Sequence, residues 1–158
     1  MKKKGFTLIE LLIVIAIIGI IVAIAIPNLL TALQKSRQKA TMGDMKSLGT
    51  SIESYLTDFQ MAPGAGSVSF IYQLSDYLIP YHNNNYLPRK DGWGADLRYT
   101  SGPIGSNQDV YSIISYGRSN APTGINILLN PYVVRALQDF DNDICFSNGV
   151  FTYGPRTN

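Results

Sequence analysis

The densest group of potential ligands in this 158-residue sequence is Asp139-Phe140-Asp141-Asn142-Asp143-Ile144, with three carboxylates in five residues. Clustered hard oxygens of this kind suit calcium, which takes about six to eight oxygen ligands. The stretch is not an EF-hand, because its sixth position is Ile144 instead of Gly and its twelfth is Val150 instead of Glu. Asp139, Asp141 and Asp143 could offer such oxygens, and the alternative is a plain solvated acidic turn. A second chemical oddity is Glu10, at the front of the apolar run Leu11–Ile26. A carboxylate in hydrocarbon costs about 3 kcal/mol unless it is protonated or paired. The pairing cation has to reach the same depth, and a cut between Gly5 and Phe6 would create one, the new α-amino group of Phe6. Catalytic constellations do not occur: there is no Gly-x-Ser-x-Gly, no His-Glu-x-x-His, no phosphate-cradling Gly-rich loop and no pair of His ligands. The lone Cys145 cannot close an intramolecular disulfide, and with His82 it cannot fill a zinc site without carboxylate help. The expectation is a protein that is not an enzyme.

The elements that carry these residues are of two unlike kinds. Hydrophobic residues make up 46% of the chain, yet Leu11–Ile26 contains nothing except Leu, Ile, Val, Ala and Gly. As a helix, Phe6 to Ile26 would be about 31 Å long, close to the hydrocarbon thickness of a bilayer. A secretory signal is the competing reading, with Lys2, Lys3 and Lys4 ahead of the run and Ala23-Ile24-Ala25 as a small-x-small cleavage site. A disposable signal, however, has no use for Glu10. Thirteen basic against eleven acidic side chains give a net charge of +2. Without Lys2, Lys3 and Lys4 ten remain against eleven, so the balance becomes −1 and no basic face for nucleic acid is expected.

Pro27 ends the apolar run and is expected to kink or locally open the helix, since its ring removes a donor and crowds the preceding turn. Beyond it, Met42, Met45, Leu48, Ile52, Tyr55, Leu56 and Phe59 recur at helical spacing and form one stripe for a core. A helix from about Phe6 to Gln60 would be about 80 Å long, so half of it must lie outside the soluble core. Pro63-Gly64-Ala65-Gly66 terminates it. A short helix is expected within Ser69–Ile79. Strands are expected at Leu97–Thr100, Val110–Tyr116 and Val150–Tyr153, which are rich in β-branched and aromatic residues. The fold class is α+β, a long amino-terminal helix on a small antiparallel sheet.

Lys4-Gly5-Phe6-Thr7-Leu8-Ile9-Glu10, followed by the apolar run and Pro27, resembles the class III signal of type IV pilins and type II secretion pseudopilins. The resemblance implies a leader at 1–5, a membrane and filament-core helix at 6–26, an amphipathic half-helix at 27–62 and a globular head at 63–158. It further implies that a prepilin peptidase cuts after Gly5 and methylates the Phe6 amine. Glu10 would then meet that amine on a neighbouring subunit, with Pro27 in the stretch that adapts on assembly. A second, weaker likeness lies in the head. Tyr86-Leu87-Pro88-Arg89-Lys90-Asp91-Gly92-Trp93-Gly94 resembles the region before the sheet in major pseudopilins, where a Pro-x-Asp-x-Trp-Gly turn leads into the first strand, and Ser115-Tyr116-Gly117 resembles the end of their second. The implied function is a structural subunit of the periplasmic pseudopilus of a type II secretion system. The implied partners are further copies of the chain, the inner membrane with an assembly platform and ATPase, and minor pseudopilins. A surface type IV pilin is the alternative, and a DNA-binding minor pilin, using a patch of Arg89, Lys90 and Arg98, is a more distant one. The likeness also implies calcium in the carboxy-terminal loop. Asp143 before Ile144 matches one family ligand, whereas the acid expected after Ser115-Tyr116-Gly117 is replaced by Ser119 with Arg118 beside it.

Overall fold

The computed structural model describes residues 5–64, 69–82, 86–102, 109–123 and 131–156. The chain divides into two compact units, Met1–Gln34 and Lys35–Asn158. One helix, α1 (Leu8–Phe59), runs through the first and contributes a core helix to the second.

In the first unit the side chains from Gly5 to Leu30 are exposed, including every Leu, Ile and Val of the apolar run. A helix apolar on all sides with nothing packed on it needs a non-aqueous surrounding, which a bilayer or neighbouring apolar helices provide. The opening expected at Pro27 does not occur: helical structure continues through it. Side chains following the proline add bonds to the helix backbone around it. Asn28 Nδ2 donates to the Ile24 carbonyl at 3.1 Å and Thr31 Oγ1 to the Pro27 carbonyl at 3.0 Å.

In the second unit α1 buries Met42, Met45, Leu48 and Ile52 as the spacing predicts, with Tyr55 and Leu56 partly covered. Phe59 departs from the expectation: it is exposed and stacks on Tyr55 at 4.4 Å between ring centroids. The helix ends as Gln60 takes a positive φ of 58° ahead of Pro63. Three short turns follow, 3-10 at Ile71–Leu74, α2 at Ser75–Leu78 and 3-10 at Ile79–Tyr81, filling the segment expected to be helical.

The sheet is a four-stranded antiparallel meander, β1 (Arg98–Ser101), β2 (Tyr111–Ser115), β3 (Ile144–Ser147) and β4 (Val150–Tyr153), paired in that order. Tyr111, Ile113 and Ser115 alternate inward along β2, as a half-buried strand requires. β3 was not among the expected strands. The β3–β4 hairpin turns on Asn148-Gly149 with φ of 46° and 84°, the left-handed pair of a two-residue hairpin. The sheet closes on α1 at Gly49, where an added Cβ would run into the ring of Phe146 on β3. Short 3-10 turns at Gly117–Ser119 and Leu137–Asp141 flank the sheet.

Candidate functional site

Gly5 and Phe6 precede α1 in non-helical, exposed chain, and Phe6 retains 79% of its accessible surface. A peptidase needs an accessible bond outside regular structure, and residues 5–6 are exposed and outside the helix. Glu10 is not without a partner inside its own chain. Thr7 is the residue before the helix and Glu10 the third within it, and their side chains form a capping box. Glu10 Oε2 accepts the Thr7 backbone N–H at 2.8 Å and the Thr7 hydroxyl at 2.6 Å, while the Glu10 N–H points back to Thr7 Oγ1 at 3.4 Å. The sequence signal for this cap is the spacing Thr7-x-x-Glu10 just ahead of the apolar run.

On the head, the turn leading to β1 is organised by Asp91, which is buried. Its Oδ1 accepts the backbone N–H groups of Trp93 and Ala95 at 3.0 and 2.9 Å, and its Oδ2 accepts the Ser115 hydroxyl at 2.7 Å. The turn docks on α1, where Gly92 N–H donates to Thr41 Oγ1 at 2.8 Å and Gly92 lies against the Arg37 carbonyl too closely for any Cβ. The Asp91 carboxylate thus joins the turn to β2, and the Gly92 amide joins the turn to α1. The three cations considered for nucleic acid are engaged separately. Lys90 pairs with Asp96 at 3.9 Å, and Arg89 reaches Ser75 Oγ at 3.4 Å. The Arg98 guanidinium lies 4.9 Å from the ring centroids of both Phe70 and Tyr116. They do not line one open basic groove.

The structure places the three candidate calcium ligands near one another in sequence but aims them at different donors. Asp139 Oδ2 accepts the backbone N–H groups of Arg135 and Ala136, which holds its carboxyl below the usual range and caps the 3-10 turn. Asp141 takes both its oxygens to Arg118, from Nε at 2.8 Å and Nη2 at 2.7 Å. Asp143 is fully buried and accepts the Thr123 N–H at 3.2 and 3.3 Å, and burial pushes its carboxyl above the usual range. Among the described residues no three His, Cys, Asp or Glu side chains converge as a metal site. The set Asp139, Asp141 and Asp143 therefore does not fit a calcium ion as a group.

Comparison with known proteins supplies what geometry alone leaves general. A family described as the prokaryotic N-terminal methylation motif matches residues 1–26, and the family described as type II secretion system (T2SS), protein G matches residues 28–127. Type II secretion system core protein G of Vibrio cholerae is 29% identical over 132 residues, covering 80% of this chain and 90% of that protein. The protein of the same name from Escherichia coli K12 is 30% identical over 101 residues, 60% of this chain and 70% of its own. The type IV major pilin protein PilA of Myxococcus xanthus is 46% identical, but over only 57 residues, 36% of this chain and 26% of that protein. No solved structure matches the chain.

Proposed function

The chain belongs to the type II secretion system protein G family, and from that premise we propose that it is the major pseudopilin of such a system, a structural subunit polymerising helix to helix into a periplasmic filament. The observation that carries this reading is the family match over residues 28–127, because that stretch extends past the amino-terminal helix into the head as far as the segment after β2, and the head is the part of the chain on which pseudopilins and surface pilins part. The similarity to a surface pilin covers too little of either chain to favour the alternative.

Before assembly the apolar half of α1 spans the inner membrane once and the head stands in the periplasm. A prepilin peptidase removes residues 1–5 and methylates the Phe6 amine. In the lone chain Thr7 hydrogen-bonds Glu10. On entry into a filament Glu10 gains the charged Phe6 amine of a neighbour, and subunits lacking that register keep a buried carboxylate unmatched in charge. An assembly platform and its ATPase drive addition of subunits, minor pseudopilins cap the filament, and the growing filament pushes or gates folded proteins through an outer-membrane channel. The chain's work is mechanical, not catalytic.

The test is Glu10→Ala in full-length protein. Stranding one partner of a buried ion pair costs about 3–5 kcal/mol, a factor of a hundred or more in an assembly equilibrium. Processing at Gly5 and membrane insertion are expected to continue while filament yield collapses. Filaments at normal yield would refute the pairing.

A further inference from the structure

We propose that the Arg118 guanidinium is the fixed cation at the junction of the chain that leaves β2 with the chain that enters β3, so that the head makes this junction without a divalent ion. The proposal goes beyond the filament reading and does not depend on which machine the filament serves. Two 3-10 turns far apart in sequence, Gly117–Ser119 and Leu137–Asp141, lie against each other after β2 and before β3. Their approach is close enough to demand glycine: Gly117 has φ of 64°, and a Cβ there would stand 2.6 Å from the Phe140 carbonyl oxygen and 2.7 Å from that of Asn142.

At this junction Arg118 and Asp141 form a two-pronged pair, with both carboxylate oxygens accepting from the guanidinium at 2.7 and 2.8 Å. Such a fork is the strong geometry for an arginine and a carboxylate. Ser119 Oγ adds a bond to the Asp141 backbone carbonyl at 3.1 Å, and Thr123 closes the far side, its N–H on the Asp143 carboxylate and its hydroxyl accepting the Asp143 N–H at 3.4 Å. The first turn is thus fastened to the second by a permanent positive charge and a hydroxyl, and the residues just after each turn are joined by the Thr123 amide. A calcium ion drawing on Asp141 would have to displace the guanidinium and sit beside its charge, and Asp139 is already committed to the backbone of its own turn. Where the family likeness leads one to expect an acid soon after Ser115-Tyr116-Gly117, the chain carries Ser119, and Arg118 beside it brings a cation to the Asp141 carboxylate.

The experiment is thermal unfolding of the full chain in detergent micelles, followed by the fluorescence of the single tryptophan, Trp93, in excess calcium and in excess EGTA. The wild-type midpoint is expected to be the same in both. Arg118→Gln and Asp141→Asn are each expected to lower it by about 2–4 °C in both buffers, and the double variant to fall no further than the lower single variant, as coupled partners do. A wild-type midpoint that rises with calcium and loses that response in Asp143→Asn would overturn the proposal. So would an Arg118→Gln midpoint equal to wild type.

Discussion

Gly43 and Gly49 lie six residues apart on α1, and alanine at the two positions isolates the closeness of helix–sheet contact. At either site alanine gains about 1 kcal/mol of helix propensity. At Gly43 nothing lies within 4 Å of the added Cβ, so that gain is expected to appear undiminished. At Gly49 the methyl would overlap Cε1 of Phe146 and stand 2.9 Å from Cζ. The ring has no easy retreat: it is 2% exposed, lies edge-on to Phe151 at 4.9 Å, and belongs to a strand paired with Ile113 of β2. Overpacking of this kind costs about 1–3 kcal/mol, which at Gly49 cancels or outweighs the propensity gain. Because propensity is common to both, the gap between the variants is the overpacking cost itself. At about 3 °C per kcal/mol for a unit of this size it corresponds to a midpoint difference of about 3–9 °C. Thermal unfolding of the full chain in micelles, read from Trp93, measures it. A Gly49→Ala protein as stable as Gly43→Ala would refute the close approach of β3 to α1.

Asp91→Ala leaves the Trp93 and Ala95 amides and the Ser115 hydroxyl without their acceptor and is expected to cost about 3 kcal/mol, whereas Asp91→Asn, which keeps the amide-accepting oxygen, is expected to cost about 1. Urea unfolding of the two variants checks the order, and equal losses would refute the assigned hydrogen bonds. Burial holds the phenols of Tyr99, Tyr111 and Tyr132 above their ordinary value, and Glu53, accepting from the Tyr111 hydroxyl at 2.9 Å, adds to the effect there. The folded pKa values are the raised ones, so the stabilisation is fully present below the unfolded value of about 10 and is lost as pH climbs past it. The thermal midpoint is expected to fall steeply above about pH 10, less steeply in Tyr111→Phe; a flat profile there would contradict the burial.

Much of this architecture is legible in residue order because it follows local period. The spacing from Met42 to Leu56 identifies the core face of α1, and Pro63-Gly64 its end. Phe59 fits the same period but is exposed and stacks on Tyr55. β3 escaped because Ile144-Cys145-Phe146-Ser147 is buried at three successive positions, with a register shift between Cys145 and Phe146, and so lacks the alternation of a one-sided strand. The Asn148-Gly149 turn after it was the available signal. At the amino terminus, the methylation-type signal is a contiguous motif and was readable, as the family match over residues 1–26 bears out. The acids were readable as a cluster but not in direction: Arg118 reaches Asp141 across 23 positions, a contact that no local pattern encodes.

The central claim is that this chain builds a secretion filament, and the most direct measurement is the extracellular proteome of a strain lacking the gene, set against the complemented strain, with surface pili counted in the same cultures. The account predicts that several normally exported proteins stay in the periplasm, that pili remain, and that complementation restores export. Unchanged export together with lost pili would contradict it.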